Sequence, residues 1–173
     1  DSIDSVGIAT PFVIGLIDDI VTLKPYQKLV GQIMAASIIV SSGLVLPWTS
    51  SSAFNSAITM FWLIGITNAV NMLDNMDGLS AGVSAIAAVF LALNFVSLGQ
   101  LHEASIVLIL AAALVGFLLY NSHPASIFMG DCGSLFIGFF LASTALLTTT
   151  SGRTRSFLPV IAVLRNVTLS GMI

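Results

Sequence analysis

Three short stretches of this chain carry nearly all of its chemistry. The first is Gly15-Leu-Ile-Asp-Asp-Ile-Val-Thr-Leu-Lys-Pro-Tyr-Gln-Lys28, with the adjacent carboxylates Asp18 and Asp19 and the base Lys28. On a helix, neighbouring side chains leave the axis about 100° apart. The two acids therefore need not serve one ion. One can hold a metal while the other accepts a proton or a hydrogen bond, and Lys28 can reach a phosphate. The second stretch is Asn68-Ala-Val-Asn-Met-Leu-Asp-Asn-Met-Asp-Gly78, in which Asn68, Asn71, Asp74 and Asp77 recur every three residues. Steps of three drift around a straight helix. The spacing thus predicts that the helix ends or bends near Asp74, with Gly78 freeing the backbone. The third is Asn121-Ser-His-Pro-Ala-Ser-Ile-Phe-Met-Gly-Asp-Cys-Gly-Ser134, where Gly130 and Gly133 flank Asp131. Such a turn can present backbone N–H groups and one carboxylate together. Asp131 is placed to cap a helix starting near Gly133. His123, ahead of Pro124, lies on a turn segment where it can meet a phosphate or a base.

The elements that position these residues follow from the apolar background. The 173 residues are 57% hydrophobic and only 8% charged, with a net charge of −3 and a mean hydropathy of +1.05. A soluble domain carries about 25% charged residues, so the chain reads as an integral membrane protein. Five basic residues make no nucleic-acid footprint. One cysteine makes no internal disulfide. Uncharged runs predict helices over 5–17, 29–46, 55–70, 78–101, 104–120 and 133–150, with a seventh over 158–173 interrupted by Arg165. Residues 1–173 are thus expected to form a single all-α, polytopic domain of six or seven spans.

Alternating crossings put Asp18, Asp19, Asp74, Asp77 and Asp131 beside one membrane face, with Glu103 opposite. Crowded carboxylates repel one another. A bound Mg²⁺ relieves that conflict through hard oxygen ligands, with Mn²⁺ as a substitute. Lys24 and Lys28 favour a cytoplasmic acidic face, while Arg153 and Arg155 on the other side cancel the vote.

Together the motifs Asn68–Gly82 (NAVNMLDNMDGLSAG) and Phe128–Gly138 (FMGDCGSLFIG) resemble the polyprenyl-phosphate N-acetylhexosamine-1-phosphate transferase family. The resemblance runs from Gly15 to about Ala162. It implies a Mg²⁺-dependent enzyme that moves N-acetylglucosamine 1-phosphate from UDP-N-acetylglucosamine to undecaprenyl or decaprenyl phosphate and releases UMP. Such a reaction is the first membrane step in building a cell-wall or surface polysaccharide. It further implies lipid-phosphate-handling acids at Asp18 and Asp19, a principal Mg²⁺ ligand at Asp131, and Lys28 as the base that follows the aspartate pair. Asn71, Asp74 and Asp77 fall at nucleotide- and metal-site positions, with Asn68 nearby. On this expectation Asp18, Asp19 and Asp77 are catalytic and Asp131 and Asp74 hold the metal. Lys28, Asn68, Asn71, Asp77 and His123 bind substrate, and Gly78, Gly130 and Gly133 shape the turns.

Asn75, where the muramoyl-pentapeptide branch more often has glycine, inclines the reading to the N-acetylglucosamine branch. Phospho-N-acetylmuramoyl-pentapeptide transfer and ion-coupled transport are the alternatives. The resemblance also implies a plasma-membrane location, a cytoplasmic active face, a homodimer, and a parent of ten or eleven spans of which this chain is a portion. Direct one-step attack is the preferred route, and a covalent intermediate on Asp19 is the alternative.

Overall fold

The computed structural model describes residues 2–21 and 23–150, and the helix expected over 158–173 lies outside them. Six helices are present among the described residues: α1 Ser2–Val21, α2 Pro25–Ser41, α3 Ser52–Leu73, α4 Leu79–Ser97, α5 Leu101–Asn121 and α6 Gly130–Thr150. Four of them, α3 to α6, are long and apolar enough to cross a membrane. At 17 residues, α2 would extend about 26 Å, short of a ~30 Å hydrocarbon core. Asp4, Asp18 and Asp19 all lie within α1.

Local chemistry sets the boundaries. Pro25 opens α2, where a missing N–H costs nothing, and the Lys24 N–H donates to Gln27 Oε1 at 2.9 Å. The helix ends at Ser41 rather than at residue 46, because Gly43 takes φ +91°. The segment after it is tied to α3 by the Leu46 N–H, which donates to Thr59 Oγ1 at 2.9 Å. Ser51 caps α3 by accepting from the Phe54 N–H. At the far end α3 stops at Leu73 with Asp74 as its C-cap, and Gly78 turns the chain into α4 at φ +72°. The break expected near Asp74 is present.

The bundle is organised around α6, which packs against α1, α3 and α4. On one side Val70, Ala81, Ala85, Ala88, Phe95, Val107, Ala111, Leu114, Ile137 and Leu141 form a core joining α4 and α5 to α6. On the other, Ala35, Ala36, Ile39, Leu63, Phe139, Ala142 and Leu146 join α2 and α3 to it. Lipid gives no hydrophobic drive for helices to associate, so close backbone approach through small residues carries more of the cohesion. Gly138 shows it: a Cβ there would lie 2.9 Å from Thr67 Cα. The Trp62 indole N–H, 3.1 Å from the Ala142 carbonyl, and the edge-on Phe12–Phe136 pair, 6.0 Å between centroids, add directional contacts across α6.

Candidate active site

The end of α1, the start of α2, the α3–α4 turn, the end of α5 and the start of α6 meet at one end of the bundle. At their centre Lys28 reaches out from the first turns of α2. Its ammonium pairs with Asp18 Oδ2 and donates to Asp131 Oδ2, the latter at 2.7 Å. Asp18 is buried, and its other oxygen accepts the Leu23 N–H. Asn71 completes the ring: its amide donates to Asp131 Oδ1 and lies 2.8 Å from Ser134 Oγ. Four elements thus supply one hydrogen-bonded cluster in which two carboxylates share one ammonium.

A second set of contacts fixes the first turn of α6. Asp19 Oδ1 accepts the Asp131 N–H and Asp19 Oδ2 the Cys132 N–H, both at 3.0 Å. The helix therefore begins at Gly130, three residues before the expected start. The acid that caps it is Asp19 of α1, not Asp131, which lies in the first turn facing Lys28 and Asn71. Asp74 lies close by. Burial and then the charge of Asp131 push its carboxyl above the ordinary range, against the pull of the Gly130 N–H, and Asp19 adds to the rise.

Asp77 sits apart from the ring. Its Oδ2 accepts the Ala125 N–H at 3.2 Å and lies 3.0 Å from His123 Nδ1. These two contacts, in that order, hold its carboxyl below the ordinary range. The contacts of Asp77 and His123, both expected at the substrate, pin the α5–α6 loop to the α3–α4 turn. Asn121, to which the sequence reading gave no role, does the same from within: its Oδ1 accepts the Gly78 N–H at 3.1 Å and its Nδ2 donates to the Ile127 carbonyl at 2.9 Å. It is buried at the end of an apolar helix, and that setting was its signal in the sequence. Asn68 is turned toward α2, where its Nδ2 donates to Gln32 Oε1 at 2.7 Å and its Oδ1 accepts from Gln32 Nε2 at 3.3 Å. Gln32 and Ser134 also escaped the sequence reading. Asn75 Nδ2 donates to the Met72 carbonyl at 2.8 Å, a local cap at the end of α3. Gly133 lies against the Met129 side chain.

Among the described residues, no three His, Cys, Asp or Glu side chains gather as a metal cage. Mg²⁺ typically takes one or two carboxylates, keeps several waters and draws the rest from substrate phosphates. The all-oxygen pair Asp131 and Asp74 fits that habit. The ammonium between Asp18 and Asp131 also marks a place where positive charge is accommodated.

Comparison with known proteins shows the family. The profile of glycosyl transferase family 4 matches residues 4–149, which hold every residue of the cluster. The chain belongs to this family. Within it, the chain is 38% identical over 152 residues to a probable undecaprenyl-phosphate N-acetylglucosaminyl 1-phosphate transferase of Bacillus subtilis, a match covering 83% of this chain and 42% of that protein. It is 45% identical over 123 residues to a phospho-N-acetylmuramoyl-pentapeptide-transferase of Rubrobacter xylanophilus, covering 70% and 36%. It is 36% identical over 162 residues to a decaprenyl-phosphate N-acetylglucosaminephosphotransferase of Mycobacterium leprae, covering 80% and 39%. Of eight curated family 4 relatives, six carry the muramoyl-pentapeptide name. The chain spans between 36% and 51% of the length of these relatives.

Proposed function

We propose that the protein to which this chain belongs transfers an N-acetylhexosamine 1-phosphate from a UDP-sugar to a polyprenyl phosphate and releases UMP. The observation that carries this reading is the convergence of Asp18, Lys28, Asn71 and Asp131 at one end of an apolar bundle. A lipid phosphate must meet a water-soluble diphosphate, and a charged cluster at the end of the helices suits both. A coupled transporter is the poorer fit, because it places its ionisable groups near mid-membrane.

In this reading Lys28 receives phosphate charge, and Asp18, held by the Leu23 N–H, orients the Lys28 ammonium toward the lipid phosphate. The second pKa of a phosphate ester is about 6, so the attacking oxygen is already ionised at neutral pH and needs no strong base. That oxygen attacks the sugar-bearing phosphorus. The bond to the bridging oxygen breaks, and UMP departs with the electron pair. When bound, Mg²⁺ on Asp131 and Asp74 would supply Lewis-acid stabilisation of the diphosphate charge. The active face is cytoplasmic in this proposal, where UDP-sugars are made.

For the donor sugar, the majority of named relatives favours the N-acetylmuramoyl pentapeptide over N-acetylglucosamine. The contrary sign, Asn75, is weakened because its amide is engaged with the Met72 carbonyl. Two relatives with the N-acetylglucosamine name keep that donor as the second reading. Purified full-length protein, offered undecaprenyl phosphate and each UDP-sugar in turn, decides between them. UMP release with the pentapeptide donor alone supports the first reading, release with UDP-N-acetylglucosamine alone supports the second, and release with neither refutes the transferase.

A further inference from the structure

Both oxygens of Asp19 are committed to backbone. The first N–H groups of a helix have no partner within it, and at the start of α6 two of them, from Asp131 and Cys132, donate to Asp19 Oδ1 and Oδ2 at 3.0 Å each. The seat for this carboxylate is built from both sides. On α6, Gly130 takes φ +69°, and a Cβ there would stand 3.1 Å and 3.3 Å from the two Asp19 oxygens. On α1, Gly15 lies one turn before Asp19, and a Cβ there would come within 2.5 Å of the Asp131 carbonyl oxygen and Cys132 Cα. The missing side chains let α1 lie directly against the turn that carries Asp131. A negative charge at this helix end also complements the dipole.

We propose that Asp19 is a positioning residue: it caps α6 from a different helix and so fixes where Asp131 stands, and it is neither the nucleophile nor the base of the transfer. Each N–H bond draws charge from the oxygen that would attack, and attack would require the carboxylate to leave the turn. The neighbouring acids divide the work, Asp18 facing Lys28 and Asp19 facing backbone. Asparagine cannot replace Asp19, because its NH₂ would oppose one of the two N–H donors.

The assignment of roles rests on the transferase reading, but two of its tests do not. In the full-length protein, hydrogen exchange is followed at the amides of 131 and 132, and Mn²⁺ affinity is read by electron paramagnetic resonance. Asp19→Ala and Asp19→Asn are each expected to lower amide protection and Mn²⁺ affinity roughly five- to thirty-fold, the worth of a lost cap, while Asp18→Asn leaves amide protection intact. Unchanged protection and Mn²⁺ affinity in well-folded Asp19 variants that no longer turn over would overturn the proposal. Wild-type protein supplies the remaining arm whether or not those variants fold. It is given radiolabelled UDP-sugar without polyprenyl phosphate and is expected to carry no label on Asp19; a labelled Asp19 overturns the positioning role. Should wild type release no UMP, the transferase reading fails, and the exchange and Mn²⁺ measurements still judge the cap.

Discussion

Lys28 shares one positive charge between two carboxylates, one of them buried. Removing it leaves Asp18 and Asp131 without their cation. Breaking a buried pair costs about 3–5 kcal/mol, and the partial exposure of Lys28 and Asp131 reduces this to roughly 1–3 kcal/mol. Lys28→Met should lower the unfolding temperature at neutral pH, and a scan beside wild type checks it. Asp77 gives a pH signature. Its folded carboxyl titrates below the ordinary range because the Ala125 N–H and His123 favour the ionised form. Its contribution is therefore present above the ordinary carboxylate range and is lost as pH falls through the folded value. Hydrogen exchange in residues 122–129, taken as the wild-type to Asp77→Asn ratio, should show protection at neutral pH that disappears in acid; a ratio independent of pH would refute the latch. At this scale the sequence revealed which residues are polar and crowded, but not whom they face. Asn68 shares a spacing with Asn71 but meets a different helix. Its rotation toward Gln32 depends on where α2 packs, which no local spacing encodes.

Between helices, the decisive positions are those with no side chain. At Gly15 an added Cβ would meet backbone atoms of α6, which cannot swing aside, and at Gly138 it would meet the backbone of Thr67. Gly15→Ala and Gly138→Ala should each destabilise the bundle by about 1–3 kcal/mol, as overpacking does, and Gly15→Ala should also lower activity by shifting Asp19. Gly65 is the control: it is exposed on α3, a Cβ there meets nothing within 4 Å, and alanine should be neutral or stabilising by up to about 1 kcal/mol. Thermal unfolding of the three variants tests the contrast, and equal losses at all three would refute it. Most helix positions were legible from uncharged runs, and the break at Asp74 from the drift of its polar repeat. The ends were less so. Charge hid the last turn of α1, which carries Asp18 and Asp19 yet stays helical to Val21. The start of α6 was misplaced because its cap comes from 112 residues away in the chain.

For the molecule as a whole, alternating helices were enough to predict that distant acids gather at one end, and the structure brings Asp18, Asp19, Asp74 and Asp131 together there. The apolar runs mark α2 as a span, and the helix itself has 17 residues. The family profile accounts for residues 4–149, while the curated relatives are about twice this length or more. The activity therefore has to be measured on the full-length protein. The most direct measurement is polyprenyl-phosphate-dependent UMP release by wild type and Asp131→Asn, matched for folding by thermal unfolding. If Asp131 stands at the meeting point of lipid phosphate, nucleotide diphosphate and metal, the variant should lose at least about a hundredfold in kcat, some 3 kcal/mol of transition-state stabilisation. A folded Asp131→Asn protein that releases UMP at the wild-type rate would contradict the account.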